Sequence, residues 1–161
     1  MKNDKFSHLD ETGNPAMVDV SSKPMTVRIA KAEAIVILGD QIMKAIANNE
    51  LYTKKGPVFQ TAIIAGVMAA KKTAELIPLC HPVGLEDCQL SIKAQTDRIT
   101  ILAEAKVTGK TGVEMEALTA VSVAALTVYD MCKALSHDIS IEVIKLTEKS
   151  GGKKDFKRKQ A

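Results

Sequence analysis

The sequence predicts an α+β fold, a ferredoxin-like sandwich in which helices pack on one face of a mostly antiparallel, four-stranded sheet. Two observations support this class. Short segments with alternating or β-branched apolar residues, typical of strands, occur before, between and after two long apolar segments that are typical of helices. The predicted order is β-α-α-β-β-α-β, and 161 residues are enough for one domain with a buried core but short for two.

The first part of the chain predicts an arm, a strand and a short helix. Residues 1–23 are polar and rich in turn-forming residues, so we expect an irregular N-terminal arm. The Val and Ile side chains over 25–38 favour a strand. Asp40 then follows a glycine and is placed to cap a short helix over 40–49.

The middle of the chain predicts a long helix and a hairpin. After a loop that contains a Gly-Pro turn, residues 58–77 have a helical pattern, which Pro78 ends because proline cannot continue the hydrogen-bond ladder. Apolar and polar residues then alternate over 88–95 and again over 98–107. Two such segments with a short turn between them predict an antiparallel hairpin.

The last part of the chain predicts the longest helix, over 112–135, and a final strand over 139–146. The residues that follow are basic and glycine-rich. We therefore divide the chain into the N-terminal arm, a single α+β domain of residues 24–148 and a flexible basic C-terminal tail of residues 149–161.

Composition argues against several classes of protein. A net charge of +3 is too small for a dedicated nucleic-acid binder, and an aromatic content of 3% is too low for a base-stacking surface. Three cysteines without paired spacing favour a reducing compartment. The first residues lack the apolar core of a signal peptide, and polar residues interrupt every apolar run before the length of a membrane span. We expect a cytoplasmic protein that binds neither nucleic acid nor membrane, and its small aliphatic side chains suit an oligomer.

The helix predicted over 112–135 carries a narrow polar stripe. At 100° per residue, Glu114 falls outside this stripe, whereas six other polar side chains fall within an arc of about 140°. They are Glu116, Thr119, Ser122, Thr127, Asp130 and Lys133. Two interpretations remain open. The stripe is either a solvated surface with a weak Asp130–Lys133 ion pair or, since it consists mainly of small hydroxyl groups, the wall of a half-buried cleft in which that pair exchanges protons with a ligand.

The start of the same helix is a second candidate site. The stretch Gly109–Gly112 fails as a Walker A loop because Glu104 occupies the position of its first glycine. A glycine-flanked Lys110 before a helix still suits an anion, although a simple strand-to-helix turn explains it equally well. Glu114 and Glu116 lie in the first turn, where interaction with the helix dipole alone would explain both.

His81 is the third candidate, because Pro78 and Pro82 make its segment rigid enough to position an imidazole. Its neighbour Cys80 should point to the opposite side of an extended segment, so a Cys–His nucleophile pair is not expected. The spacing of the cysteines and histidines matches no zinc site, and we expect no metal bound by the protein.

These stretches closely resemble the cyclic pyranopterin monophosphate synthase family, the molybdenum cofactor biosynthesis protein C family. The resemblance covers roughly residues 6–157. The motifs that carry it are LIPLCHP at 76–82, TGKTGVEMEALTAVSVAALTVYDMCKA at 108–134 and KSGGK at 149–153, together with MVDVSSKPMTVRIAKAE at 17–33 and KGPVFQTAIIAG at 55–66. The longest of these motifs is too specific to match by chance.

The resemblance implies a lyase that converts 3',8-cyclo-7,8-dihydroguanosine 5'-triphosphate into cyclic pyranopterin monophosphate and releases pyrophosphate. Asp130 matches the catalytic aspartate and Lys133 the lysine that works with it, and Lys55 is a further candidate for proton transfer. Residues implied in binding the substrate or its phosphates are Leu79, Cys80, His81, Met115, Glu116, Glu114, Lys23, Arg28, Lys110, Lys149 and Lys153. No cofactor is implied, while a divalent metal that accompanies the triphosphate is left open.

Helix geometry adds an expectation about assembly. Glu114 and Asp130 are 16 residues apart, about 24 Å along a continuous helix, too far for one nucleotide-sized ligand to touch both. We therefore expect a second subunit to complete the site through a two-fold contact, and the resemblance implies a homohexamer, a trimer of dimers. The competing hypotheses are a non-catalytic nucleotide-binding regulator that uses the same pocket and an RNA-binding module.

Overall fold

The structure, a computed structural model, describes residues 12–159. Residues 1–11 of the predicted arm and 160–161 of the predicted tail lie outside the described residues. The helices and strands, in chain order, are β1 Thr26–Ile37, α1 Asp40–Met43, β2 Tyr52–Thr53, β3 Gly56–Pro57, α2 Val58–Ala70, α3 Thr73–Leu76, β4 Asp87–Ala94, β5 Arg98–Gly109, α4 Glu114–Cys132, β6 Ser140–Ser150 and β7 Phe156–Lys157.

The main sheet has the strand order β4-β5-β1-β6-β7, and every neighbouring pair is antiparallel. The predicted α+β class with a mostly antiparallel sheet is therefore confirmed. The sheet has five strands rather than the predicted four, because Phe156–Lys157 pairs with β6 from within the stretch assigned to a tail. Two paired residues are too few to show the alternation by which a strand is predicted. β6 also continues to Ser150, past the predicted start of the tail.

The core lies between one face of the sheet and the helices α2 and α4. The strand residues that face the helices are small or β-branched, and they are buried. They are Ala30, Ala32, Ala34 and Val36 on β1 and, in register opposite them, Ala105, Ala103, Ile101 and Ile99 on β5. Alanines on adjacent strands leave room for a helix to lie close to the sheet. α4 lies in this place, in contact with β1, β5 and β6 as well as α2.

Helix α4, 19 residues long, is the centre of this core. Among residues 12–159 it is the one helix that length and composition would allow to cross a membrane. However, 56% of its apolar stretch is buried inside the protein, against the sheet and α2. Packing within the domain therefore accounts for its apolar character.

The long helix predicted over 58–77 is divided into α2 and α3. The helix is divided because two hydrogen bonds near Ala70 reach the third residue back, whereas the bonds of an α-helix reach the fourth. The buried Thr73 hydroxyl donates to the Ala70 carbonyl at 3.0 Å, and the Lys72 N–H donates to the Ala69 carbonyl at 2.9 Å. Bonds to the third residue back tighten the last turn and end the helix.

The short helix predicted over 40–49 is a single turn, α1. Asn48 and Asn49 have φ values of 52° and 58°, in the left-handed region, and residues in that conformation cannot continue a right-handed helix. They form instead a tight turn, closed by mutual main-chain hydrogen bonds of 2.9 and 3.0 Å between Ala47 and Glu50.

The contact between α2 and α4 depends on Gly66. A Cβ atom at this position would lie 2.8 Å from the main-chain oxygen of Ala120 in α4, and even closer to the Leu90 side chain. The Ala120 oxygen belongs to a helical backbone and cannot move aside by itself. Gly66 therefore determines how closely the two helices approach each other.

We expect Gly66→Ala to destabilise the protein. Overpacking a core costs about 1–3 kcal/mol, and the better helix propensity of alanine recovers up to ~1 kcal/mol of this. Urea unfolding should therefore show a net loss of roughly 1–2 kcal/mol. The control is Gly84→Ala, where an added Cβ meets open space and the expected change is under ~1 kcal/mol. Equal stability of the two variants would contradict this account of the helix contact.

Candidate active site

The predicted site residues lie mainly at opposite ends of α4. Lys55, Asp130 and Lys133 meet at its C-terminal end and form what we call the acid–lysine cluster. Near its N-terminal end, Arg28 and Lys149 line a small cleft beside Glu114, which we call the basic cleft. The 16 residues from Glu114 to Asp130 separate the two groups by about 24 Å.

The acid–lysine cluster is a carboxylate held between two ammonium groups. Lys55 Nζ lies 2.6 Å from Asp130 Oδ2 and 3.1 Å from the Asp130 main-chain oxygen. Lys133 Nζ lies 2.8 Å from Asp130 Oδ1, which confirms the predicted ion pair within the helix. Each carboxylate oxygen thus accepts from a different lysine. The Asp130 side chain is 54% exposed, so in a single chain the cluster is open to solvent.

Two elements from distant parts of the chain position this cluster. Asp130 lies in the last turn of α4, and Lys133 follows as its C-cap, with its N–H donating to the Tyr129 carbonyl at 2.8 Å. Lys55 lies at the tip of the hairpin β2–β3, where the next residue, Gly56, has a φ of 108° that favours glycine. The cationic Lys133 at the end of the helix also interacts favourably with the helix dipole.

The charges of the cluster determine which groups can move protons. Hydrogen bonds from Lys133 and then Lys55 lower the pKa of Asp130 from 3.8 to about 2. The hydrogen bond to Asp130 raises the pKa of Lys133 in turn. Asp130 is therefore a weak base, and Lys133 a weaker acid than an unpaired lysine, as long as the two are in contact.

The basic cleft combines cations with main-chain groups at the start of α4. Arg28 Nε donates to the Gly109 carbonyl at 3.0 Å, and Lys149 Nζ pairs with Glu114 Oε1 at 2.8 Å. The cleft has a volume of about 60 Å³. It is lined by Arg28, Ile29, Gly112, Val113, Glu114, Lys149, Ser150, Gly152 and Lys154. Cations beside a helix N-terminus suit a phosphate group, but the volume is far below the 300 Å³ or more of a typical ligand pocket.

Gly151 is required for the chain to pass this cleft. Its φ is 81°, and a Cβ atom there would overlap the main-chain oxygen of Val27. The Thr26 hydroxyl donates to the Gly151 carbonyl at 2.8 Å and holds the same turn against β1. This close approach brings the end of β6, and Lys149 with it, beside Arg28.

Glu116 and Cys80 lie at the same end of α4. Glu116 is only 3% exposed. Burial raises the pKa of its carboxyl, and the charge of Glu114 adds to the rise. Burial also raises the pKa of the Cys80 thiol, with a further contribution from Glu116. Glu116 lines a second cleft, of about 140 Å³, with Lys71, Thr73 and Val83. A thiol with a raised pKa is a poor nucleophile, in agreement with the expectation that Cys80 and His81 do not form a nucleophile pair.

The N-terminal arm contacts two further predicted residues. His81 Nε2 donates to the Val18 carbonyl at 2.7 Å, because a carbonyl can only accept, and Lys110 Nζ donates to the Ser21 carbonyl at 2.6 Å. Lys23 lies two residues after Ser21, and its N–H donates to the Val20 carbonyl at 3.0 Å. The arm thus connects the histidine segment with the turn that precedes α4.

The remaining predicted residues have less defined positions. Leu79 and Met115 are half-buried, and Lys153 is exposed and does not line the basic cleft. Lys154, which the sequence analysis did not select, lines it instead. In a run of neighbouring basic residues after two glycines, no sequence signal distinguishes the lysine that lines the cleft.

The polar stripe of α4 fits neither interpretation along its whole length. Glu116 and Thr119 are buried, whereas Asp130 and Lys133 are exposed. The Ser122 hydroxyl donates to the Leu118 carbonyl at 2.7 Å, and that of Thr127 donates to the Val123 carbonyl at 2.8 Å. These hydroxyl groups satisfy the helix backbone, so they are not evidence for a ligand.

A larger cavity in the described part of the chain lies away from both groups. It has a volume of about 290 Å³ and opens on the sheet face opposite the helices, beside the Lys31–Glu104 ion pair. It is lined by no residue of the predicted site. Cavity size therefore favours a different surface, and the candidate site at the ends of α4 rests on its clustered charges instead.

We expect loss of either lysine to raise the pKa of Asp130 above its value of about 2, with the larger rise in Lys133→Met, since Lys133 is the larger cause. Because the folded-state pKa is lower than the ordinary 3.8, the ion pairs stabilise the protein above that pH, and this contribution is lost as the pH falls toward 2. Carboxyl NMR titration measures the shift, and urea unfolding at acidic pH should be less pH-dependent in Asp130→Asn than in wild type.

The control for this titration is Asp97, whose pKa is lowered by a hydrogen bond from Arg98 in the distant β4–β5 turn. Its pKa should be the same in both lysine variants. If Asp130 titrates as in wild type without Lys133, the described cluster does not exist in solution.

Comparison with known proteins identifies the family. The MoaC family model matches residues 17–152. The chain is 51% identical over 158 residues to "Molybdenum cofactor biosynthesis protein 1" of Drosophila melanogaster, a match that covers 97% of this chain and 28% of that protein. It is also 51% identical over 157 residues to proteins named "Cyclic pyranopterin monophosphate synthase 1" in Mycobacterium bovis and Mycobacterium tuberculosis, covering 97% of this chain and 91% of theirs. The family is the one that the sequence motifs resemble, and we conclude that this chain belongs to the MoaC family.

Proposed function

We propose that this chain is a cyclic pyranopterin monophosphate synthase that acts in molybdenum cofactor biosynthesis. The reaction is the conversion of 3',8-cyclo-7,8-dihydroguanosine 5'-triphosphate to cyclic pyranopterin monophosphate with release of pyrophosphate, which makes the enzyme a phosphorus–oxygen lyase. The observation that carries the proposal is the acid–lysine cluster, found in a chain 51% identical over 157 residues to proteins named for this synthase. Those names favour an enzyme over the non-catalytic regulator.

Proton transfer is the part of the chemistry that the cluster suits. Opening and rebuilding a ring system requires groups that donate and accept protons in turn. Lys55 and Lys133 each hold an ammonium proton against one Asp130 oxygen, at 2.6 and 2.8 Å. When a lysine gives its proton to the substrate, Asp130 loses the hydrogen bond that lowers its pKa, and it becomes a better acceptor for the return step. On this basis we propose that the lysines act as acids and that Asp130 holds them in place until the proton is transferred.

Binding of the phosphates is the part that the basic cleft suits. Arg28, Lys149 and Lys154 line it, and Lys110 follows Gly109, whose carbonyl accepts from Arg28. Positive charge at this place would neutralise the triphosphate and the departing pyrophosphate. The Lys149–Glu114 ion pair must then open or share its ammonium with a phosphate oxygen. That no cofactor is needed stays a prediction, and so does the cytoplasmic location.

A site shared between subunits follows from the separation of the two groups. One substrate cannot reach both the phosphate-binding cations and the acid–lysine cluster of the same chain, which are about 24 Å apart. The basic cleft, at about 60 Å³, is also too small for a nucleotide. We propose that a two-fold contact sets the basic cleft of one subunit opposite the acid–lysine cluster of its neighbour, within a homohexamer built as a trimer of dimers.

The strand order supports the predicted ferredoxin-like architecture. The four long strands lie in the order β4-β5-β1-β6, and β7 extends one edge. The long helices α2 and α4 follow β1 and β5 in the chain and pack together over the same face. We propose that the fold is a ferredoxin-like β-α-β-β-α-β unit with one added edge strand.

The direct test is incubation of the purified protein with the cyclised guanosine triphosphate. We expect pyrophosphate and a pterin product from wild type. Asp130→Asn and Lys133→Met should each lower the rate by about 10²–10⁴-fold, the range for loss of acid–base catalysis. Asp97→Asn is the matched control, since it removes another exposed, ion-paired aspartate and should keep the wild-type rate. Full activity in the two cluster variants would exclude this mechanism.

If each active site is shared between two subunits, oligomers mixed from two inactive variants should regain activity. Lys149→Met and Asp130→Asn should each be inactive alone, whereas co-expression should restore about a quarter of the wild-type activity. If subunits associate at random, half of the two-fold contacts join one subunit of each variant. Each such contact forms two sites, one with both substitutions and one with neither, so a quarter of all sites are intact. The control pair, Asp130→Asn with Lys133→Met, alters the same cluster and should restore nothing. Equal outcomes for the two pairs would show that each site belongs to one chain.

A further inference from the structure

Glu50 is a buried acidic residue to which the sequence analysis gave no role. It is 8% exposed, and it follows the tight turn of Asn48 and Asn49. Its side chain points into the protein and accepts three hydrogen bonds, all from main-chain N–H groups. A carboxylate that is buried and surrounded by N–H donors holds its partners strongly.

The partners of Glu50 lie on both sides of one loop. Oε1 accepts from the Leu51 N–H at 2.8 Å and from the Phe59 N–H at 2.7 Å, and Oε2 accepts from the Gln60 N–H at 3.1 Å. Leu51 starts the loop, whereas Phe59 and Gln60 lie in the first turn of α2. Glu50 therefore closes the loop at its base.

Helix α2 has no other side chain in this role. Its N-cap is Pro57, without a side-chain cap hydrogen bond, and no acidic residue lies in its first turn. A carboxylate from outside the helix thus satisfies the N–H groups that a helix start leaves unpaired. The Val58 N–H, which donates to the Leu51 carbonyl at 2.8 Å, adds a second bond across the base.

The loop that Glu50 closes carries Lys55. Between Leu51 and Val58, the β2–β3 pairing and a hydrogen bond of 3.2 Å from the Lys55 N–H to the Thr53 hydroxyl shape the hairpin. The Lys55 ammonium reaches from its tip to Asp130. The position of that ammonium therefore depends on the angle at which the base holds the hairpin.

We propose that Glu50 is a positioning residue whose carboxylate closes the base of the 51–58 loop and thereby holds the Lys55 ammonium on Asp130. This inference deepens the proposed function, because it names the group that keeps one of its two proton donors in place. It requires that Glu50 act on Asp130 only through Lys55. A role limited to the stability of α2 would leave the acid–lysine cluster unchanged.

The test is carboxyl NMR titration of Asp130 in the full-length, substrate-free protein. In Glu50→Ala we expect the pKa of Asp130 to rise from about 2 toward 3.8, by no more than it rises in Lys55→Met. The double variant Glu50→Ala/Lys55→Met should titrate like Lys55→Met alone, since Glu50 acts through that lysine. Glu50→Gln keeps one accepting oxygen, and its shift should lie between those of wild type and Glu50→Ala.

Two comparisons keep the proposal open to refutation. Gly66→Ala disturbs the packing of α2 without touching the loop, so the pKa of Asp130 in this variant should equal that in wild type. If the pKa of Asp130 rises in Gly66→Ala as it does in Glu50→Ala, the effect is due to helix stability and the proposal is overturned. An unchanged pKa of Asp130 in folded Glu50→Ala would overturn it as well. If Glu50→Ala does not fold, Glu50→Gln carries the same test, and no rise in that variant refutes the role.

Turnover separates this proposal from the proposed function. Displacing Lys55 should lower kcat on the order of 10²-fold in Glu50→Ala, as expected for a misplaced catalytic group, with a smaller change in KM. If wild type releases no pyrophosphate from the cyclised triphosphate, the proposed reaction is wrong, but the NMR result still decides whether Glu50 positions Lys55. If wild type is active and Glu50→Ala keeps its kcat, the positioning role is wrong and the reaction stands.

Discussion

The close packing of α4 on the alanine-lined face of β1 and β5 is the constraint on which the other features depend. Alanines in register at positions such as Ala32 and Ala103 let the helix lie near the sheet, and Gly66 lets α2 lie near the helix. Interiors packed in this way do not deform easily. The two ends of α4, and the charged groups attached to them, are consequently held at a fixed separation.

The two ends of α4 differ in chemical character because different groups surround them. At the start of α4, helix N–H groups and the cations of the basic cleft favour an anion. At its end, Asp130 keeps two ammonium groups beside each other although they repel, because each contacts its own carboxylate oxygen. We propose that phosphates bind at the first of these ends and that protons are transferred at the second, and a symmetric pair of subunits is the simplest way to bring the two together.

Several contacts at these ends join residues that are distant in sequence. Lys55 and Asp130 are 75 residues apart, and Lys149 and Glu114 are 35 apart. Each cation reaches its partner only because a turn directs the chain toward α4. Glu50 closes one of these turns and Gly151 allows the other, so residues without chemistry of their own decide where the charged groups lie.

The α+β class, the β4–β5 hairpin and α4 could all be predicted from the sequence, because alternation and helical periodicity are local patterns repeated over many residues. It also indicated the Asp130–Lys133 pair, since residues three apart on a helix are neighbours. Three features could be seen only in the folded chain: Lys55 contacts Asp130, β7 extends the sheet and Lys154 lines the basic cleft. Two-residue strands and contacts across 75 positions have no periodic pattern, and they depend on how whole elements pack against one another.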